Sequence, residues 1–167
     1  KIKEDHDYLV VGSAPGHLKR SEKFSSFGLE SQEGKILTYS LDIQLAQKFL
    51  NQEITLNNIY YDYDEAEIRP DAAKVLDTLA RLLTDNPDLR IQMGSHTDCR
   101  GEDQYNIDLS LRRARAAVDY LASRGVKLKR LTAKGYGEMN RVTDCNCEDC
   151  TEKEYQRDRR TTFMILE

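Results

Sequence analysis

The sequence predicts an α/β fold. Its main part reads as a two-layer sandwich with the order β-α-β-α-β-β, the helices lying on one face of a four-stranded mixed sheet. A partial β-sandwich segment precedes it. Three observations lead there. Two long stretches carry apolar residues at helical spacing, shorter apolar runs alternate with them, and residues 37–45 follow a different, period-two rhythm. Two helices of such length can cover only one face of a four-stranded sheet.

In chain order, residues 8–11 and 24–27 are short strand candidates, divided by Gly12, Pro15 and Gly16. Residues 37–45 place Leu37, Tyr39, Leu41, Ile43 and Leu45 on one side and polar residues on the other, the pattern of a half-buried strand. Three strands cannot close a sandwich alone, so residues 1–50 read as the end of a β-domain and residues 51–167 as a second domain. The chain opens on Lys1, not Met, which fits a piece of a longer protein.

Beyond residue 51, residues 54–63 form an aromatic-rich strand candidate. Arg69-Pro70-Asp71 opens a helix, because Pro suits the first turn and Asp complements the N-terminal dipole. Ala72, Val75, Leu76, Leu79, Leu82 and Leu83 supply its apolar face, and Asn86-Pro87 stops it. Residues 89–94 form the next strand. A second helix spans about residues 103–124, with Ala114, Ala117, Val118 and Leu121 inward and Gly125 as its C-terminal cap. Residues 131–134 are a strand ended by Gly135-Tyr136-Gly137, residues 138–152 a polar Cys-bearing loop, residues 152–158 a helical turn, and residues 161–166 the closing strand.

Composition bounds the function. With 39% hydrophobic and 32% charged residues the chain can build a core, and a net charge of −4 argues against a nucleic-acid partner. No apolar run approaches the roughly 18–20 residues that span a bilayer, and the first residues do not read as a signal peptide. Cys99, Cys145, Cys147 and Cys150 fit two disulfides and an oxidising compartment. Free thiols, a zinc site completed by Cys99 or His96, and a redox Cys147-x-x-Cys150 pair are the alternatives.

Asp98 lies in a polar turn after one strand, and Arg113 on the helix that follows. An acid and a base on two walls of one notch suit a ligand with an ammonium and a carboxylate on one carbon. The plainer reading is a surface ion pair between the two, worth about 0–1 kcal/mol. His96 reads as a hydrogen-bonder of the turn, since no nucleophile motif accompanies it. Asp62, Asp64 and Glu65 could form a calcium or glycosidase-type carboxylate set, but the run is all polar. Asp144, Glu148 and Asp149 read as a solvated loop, Asp108 and Asp119 as exposed helix residues, and Tyr60, Tyr61 and Tyr63 as sheet packing more than a sugar platform. No residue is assigned a catalytic role, and no metal or cofactor is expected.

Five stretches resemble, in the same order, those of the OmpA-like C-terminal domain, the peptidoglycan-binding module of Gram-negative envelope proteins. They are IYYDYDEAEIRPDAA (59–73), GSHTDCRG (94–101), YNIDLSLRRA (105–114), KGYGE (134–138) and DRRTTF (158–163), and the resemblance spans about residues 56–166. It implies a non-enzymatic, periplasmic module that binds the diaminopimelate residue of the peptidoglycan stem peptide and anchors an outer-membrane or periplasmic assembly to the cell wall. On that basis Asp98 takes the ligand ammonium and Arg113 its carboxylate. Asp62 and Asp64 contribute from the loop after the first strand, and Asn106 and Leu109 shape the groove wall. The chain departs from the pattern at Asp158, where the family usually has Asn, at Cys99 beside Asp98, and in its long Cys-rich loop. The SHTD opening, the Cys loop and the RRTTF ending are similar to the Bacteroidetes form. Residues 1–50 resemble the tail of a carboxypeptidase-regulatory-like β-sandwich, which precedes such domains in some large periplasmic lipoproteins, including those of type IX secretion. That implies other envelope or secretion-system proteins as further partners.

Overall fold

The structure, a computed structural model, describes residues 5–28, 40–56, 59 and 66–166. The chain divides into two compact units, Lys1–Lys48 and Phe49–Glu167. In the first, β1 (Asp7–Gly12) and β2 (Arg20–Ser25) form an antiparallel hairpin in full register, Asp7 opposite Ser25 and Gly12 opposite Arg20. The second strand therefore begins earlier than residues 24–27, and Phe27 is left exposed beyond its end.

The alternating segment 37–45 does not become a strand over its described part, residues 40–45. Ile43 and Leu45 rest near Gly12, while Leu41 stays largely exposed. Alternation prepares a strand, but a neighbouring backbone must accept its hydrogen bonds. Among the described residues, such contacts are seen just after it, where Leu18 N–H donates to Ala46 O (2.8 Å) and Lys48 N–H to Gly16 O (2.9 Å).

The second unit carries a four-stranded sheet in the order β3-β6-β4-β5. Its elements are β3 (Glu53–Leu56), α1 (Pro70–Asp85), β4 (Arg90–Ser95), α2 (Asp103–Ser123), β5 (Leu131–Gly135), α3 (Glu152–Asp158) and β6 (Thr161–Leu166). β6 runs antiparallel to both β3 and β4, and β4 runs parallel to β5. The mixed α/β sheet expected from the sequence is thus the observed one. β3 is assigned over four residues, and of the rest of segment 54–63 only Ile59, which is buried, falls within the described residues.

Each helix has a local reason to begin and end. α1 opens on Pro70 with Asp71 in its first turn. Its buried face is Ala72, Leu76, Leu79, Ala80 and Leu83; Val75 and Leu82 are only half-buried. Its C-terminal carbonyls are closed by Asn86 and by Arg130, whose guanidinium donates to Leu83 O (2.9 Å) and Asn86 O (2.7 Å). α2 ends at Gly125 (φ 91°), a left-handed position that Gly occupies without a Cβ penalty. Thr151 and Glu154 cap α3 reciprocally. α2 lies across β4 and β5, beside α1. Leu76, Leu83, Ile91, Met93, Leu121 and Ile165 are fully buried at this layer boundary. A Cβ at Gly135 would stand 2.5 Å from the Leu111 backbone N, so the strand and helix approach too closely for any side chain there. No helix among the described residues is long and apolar enough to cross a membrane.

Candidate functional site

The site lies at the carboxyl ends of the parallel strands β4 and β5, where open α/β sheets place their ligands. The chain leaves β4 through Ser95, His96 and Thr97, all buried. Backbone bonds keep this segment registered on both sides: His96 N–H donates to Arg160 O (2.9 Å) and Thr97 N–H to Gly137 O (2.8 Å). Asp98 is thereby delivered to a fixed point facing α3 and the start of β6.

Both oxygens of the Asp98 carboxylate are occupied. Oδ1 accepts from Arg100 N–H (3.0 Å) and Arg100 Nε (3.2 Å), and Oδ2 from Arg100 Nη2 (2.9 Å) and Arg159 Nη1 (2.7 Å). Burial alone works to raise the Asp98 pKa. The bonds from Arg100, through both its side chain and its backbone, and from Arg159 together outweigh that, holding it below the ordinary carboxylate value. Glu152 reaches the same two arginines, Arg100 at 3.5 Å and Arg159 in a short contact. Two acids and two guanidiniums thus close a ring. Arg100 also lies over the Tyr155 ring, 4.1 Å from its centroid, which ties the turn to α3.

Arg113 is buried on α2 and lines a cavity of about 30 Å³ with Ile59, Ser95, His96, Arg159 and Arg160. Asp98 is not part of that lining; Arg159 touches Asp98 and also faces the cavity. The two residues singled out from the sequence therefore share a neighbour, Arg159, which the sequence reading did not name. Arg100, Glu152 and Arg160 were also missed. The D-x-R spacing at 98–100 and the Arg pair at 159–160 were the signals for the arginines, and Glu152 had none.

His96 is stacked on Tyr136 with centroids 4.7 Å apart and planes within 3°. Its Nδ1 lies 3.4 Å from Met139 O, and its Nε2 has no hydrogen-bond partner among the described residues. Burial, and then the nearby Arg160 charge, push its pKa from 6.5 down to about 4. It is a neutral wall of the cavity.

Asn106 turns out to brace the turn. Its Nδ2 donates to Arg100 O (3.1 Å) and Glu138 Oε2 (3.0 Å), joining the Asp98 turn to the one after β5. Leu109 is buried on the same helix. Asp62, Asp64 and Glu65, like Tyr60, Tyr61 and Tyr63, lie outside the described residues. Asp158 is fully buried and accepts from Val142 N–H (2.8 Å), Thr143 N–H (3.2 Å) and Thr143 Oγ1 (2.6 Å). At this departure from the family pattern, the carboxylate anchors the Cys-rich loop and is no rim contact.

The four cysteines form two disulfides, Cys99–Cys147 and Cys145–Cys150. No thiol is left free, and Cys147 and Cys150 are not bonded to each other, so the redox-pair and zinc alternatives fall away. Among the described residues no group of three or more His, Cys, Asp and Glu converges as a metal site. The first disulfide fastens the residue after Asp98 to the loop before α3, and so ties together the two elements that carry the charge ring.

Comparisons with known proteins bear on the family and the fold. The chain is 38% identical over 103 residues to the peptidoglycan-associated lipoprotein of Brucella melitensis, covering 60% of this chain and 61% of the relative. It is 33% identical over 99 residues to outer membrane protein A of Escherichia coli O157:H7, covering 58% of this chain and 29% of that protein. The chain thus spans about three-fifths of the first relative's length and under a third of the second's. Among solved structures, the peptidoglycan-associated lipoprotein from Burkholderia pseudomallei superposes with a TM-score of 0.58 at 25% identity, covering 64% of this chain and 87% of that one. The OmpA family profile matches residues 60–155, a stretch that holds the Asp98 turn, the Arg113 helix and both disulfides; the chain belongs to the OmpA family.

Proposed function

We propose that this chain binds peptidoglycan non-covalently through the diaminopimelate head group of the stem peptide and anchors a larger envelope assembly to the wall. One observation carries the reading. A buried arginine lines a small cavity beside an aspartate that is kept ionised by two further arginines. Diaminopimelate ends in a carbon that bears both an ammonium and a carboxylate. Arg113 takes the carboxylate with its planar fork, and Asp98 takes the ammonium once Arg100, half-exposed, swings off it. Lysine in the same place lacks the carboxylate. The missing charge-assisted bond costs about 1.5–3 kcal/mol, roughly ten- to a hundredfold in affinity.

The relatives, lipoproteins named for their association with peptidoglycan among them, support a periplasmic place at the outer membrane and cell wall. A finer placement rests on resemblance alone. The SHTD opening, the Cys loop and the RRTTF ending suggest a Bacteroidetes lipoprotein of the type IX secretion kind, such as PorE, with a carboxypeptidase-regulatory-like β-sandwich ending at residues 1–50. Other envelope or secretion-system proteins are then its further partners.

A second reading is favoured by the occupancy of Asp98: a secretion-machinery connector whose groove is vestigial and sealed by Arg100 and Arg159. Co-sedimentation with purified sacculi separates the two. The binding account expects wild type in the pellet and Arg113→Ala and Asp98→Ala in the supernatant, with no muropeptides released. Normal pelleting of both variants supports the connector, and released muropeptides indicate a wall-remodelling hydrolase. In calorimetry, equal affinity for lysine-type and diaminopimelate-type stem peptides contradicts the head-group assignment.

A further inference from the structure

We propose that a larger groove beside the Arg113 cavity takes a second carboxylate of the same stem peptide, an inference that rests on the peptide-binding reading above. The groove has a volume of about 540 Å³ and runs between the end of β3 and α3. It adjoins the small cavity: Ile59, Gln156, Arg159 and Arg160 line both. Its outer wall adds Lys153 and Arg157 from α3.

The charge balance of this groove runs against that of the chain. Net charge overall is −4, yet the groove is lined by four cationic side chains and, among the described residues, by one carboxylate, Glu152. That carboxylate is already engaged with Arg100 and Arg159. Lys153 and Arg157 are exposed on successive turns of α3 and line the groove, and neither belongs to the Asp98 ring. A cationic wall next to a head-group cavity suits a ligand with an anion a few bonds from that head group.

A stem peptide centred on diaminopimelate has two such anions. The γ-linked glutamate before it keeps a free α-carboxylate, and the residue's own main-chain end supplies another when the peptide stops there. Either would face Lys153 and Arg157 while the zwitterionic end sits at Arg113. Amidation of that carboxylate, which removes the charge and leaves the shape nearly unchanged, then becomes a discriminating modification.

The test is titration calorimetry of the whole chain with three tripeptides, L-Ala-γ-D-Glu-meso-diaminopimelate, its glutamate α-carboxamide and its C-terminal carboxamide. One of the two amides should bind wild type about three- to tenfold more weakly. The identity of that amide names the carboxylate. The Lys153→Gln/Arg157→Gln double variant, changed only at exposed positions, should bind the unmodified peptide as weakly as wild type binds that amide, and should no longer distinguish the two. Arg113→Ala should lose all three peptides. If wild type binds all three equally while Arg113→Ala binds none, the second-carboxylate site is overturned and the proposed function stands. Discrimination that persists in the double variant overturns the groove assignment. If wild type binds no peptide, both readings fall together.

Discussion

Asp98 and His96 lie two residues apart, and both have their pKa held below the ordinary value, for reasons visible around each. His96 has lost water and sits near Arg160, so its imidazole stays neutral down to about pH 4 instead of 6.5. Its depressed pKa means the unfolded chain binds a proton between these values while the folded one does not. Stability therefore falls as pH drops from about 6.5 toward 4. Asp98 is also depressed, from 3.8, so its contribution is complete above that value and is lost only below it. Urea midpoints between pH 7 and pH 4.5 should isolate the histidine. Wild type should lose stability across this range, and His96→Asn should show a flatter profile. The same slope in both proteins would show that some other group titrates there.

At the level of elements, the disulfides decide how firmly α3 is held against the Asp98 turn. Cys99–Cys147 joins residues 48 apart in sequence, and Cys145–Cys150 residues only 5 apart. The chain-entropy argument gives about 4 kcal/mol for a loop of the first size and about 2 kcal/mol for the second. Paired Cys→Ser variants in urea denaturation should therefore differ, Cys99→Ser/Cys147→Ser being the less stable. Equal losses would show that the long crosslink spans elements already fixed by the charge ring. The sequence showed the elements themselves because their signals are local. Pro70 and Gly125 mark helix ends within a turn of where they act. Residues 40–45 misled because their alternation needed a neighbouring strand, and none pairs with that stretch among the described residues. The cysteine pairing was open because four cysteines allow three connectivities. The Asp98–Arg159 bond was invisible because 61 residues separate its partners and only the fold brings them together.

At the scale of the whole molecule, a chain of net charge −4 places five cationic side chains, Arg113, Lys153, Arg157, Arg159 and Arg160, along two adjoining cavities at the carboxyl ends of the strands. The apolar layer between α2 and the sheet sets that geometry, and Gly135 lets the helix bearing Arg113 sit directly on β5. If the proposed function holds, one head group in so small a cavity makes a weak single contact, roughly micromolar to millimolar. The repeating wall polymer would then supply the rest by avidity when several copies are held in one assembly. Reversible attachment of this kind suits an anchor that must let the wall grow. The most direct test of the central claim is a crystal structure with the diaminopimelate tripeptide bound. The account predicts the ligand carboxylate within hydrogen-bond distance of the Arg113 guanidinium, the ammonium on Asp98, and Arg100 displaced from that carboxylate. A peptide bound elsewhere, or one that leaves the Arg100–Asp98 pair intact with Arg113 untouched, would contradict it.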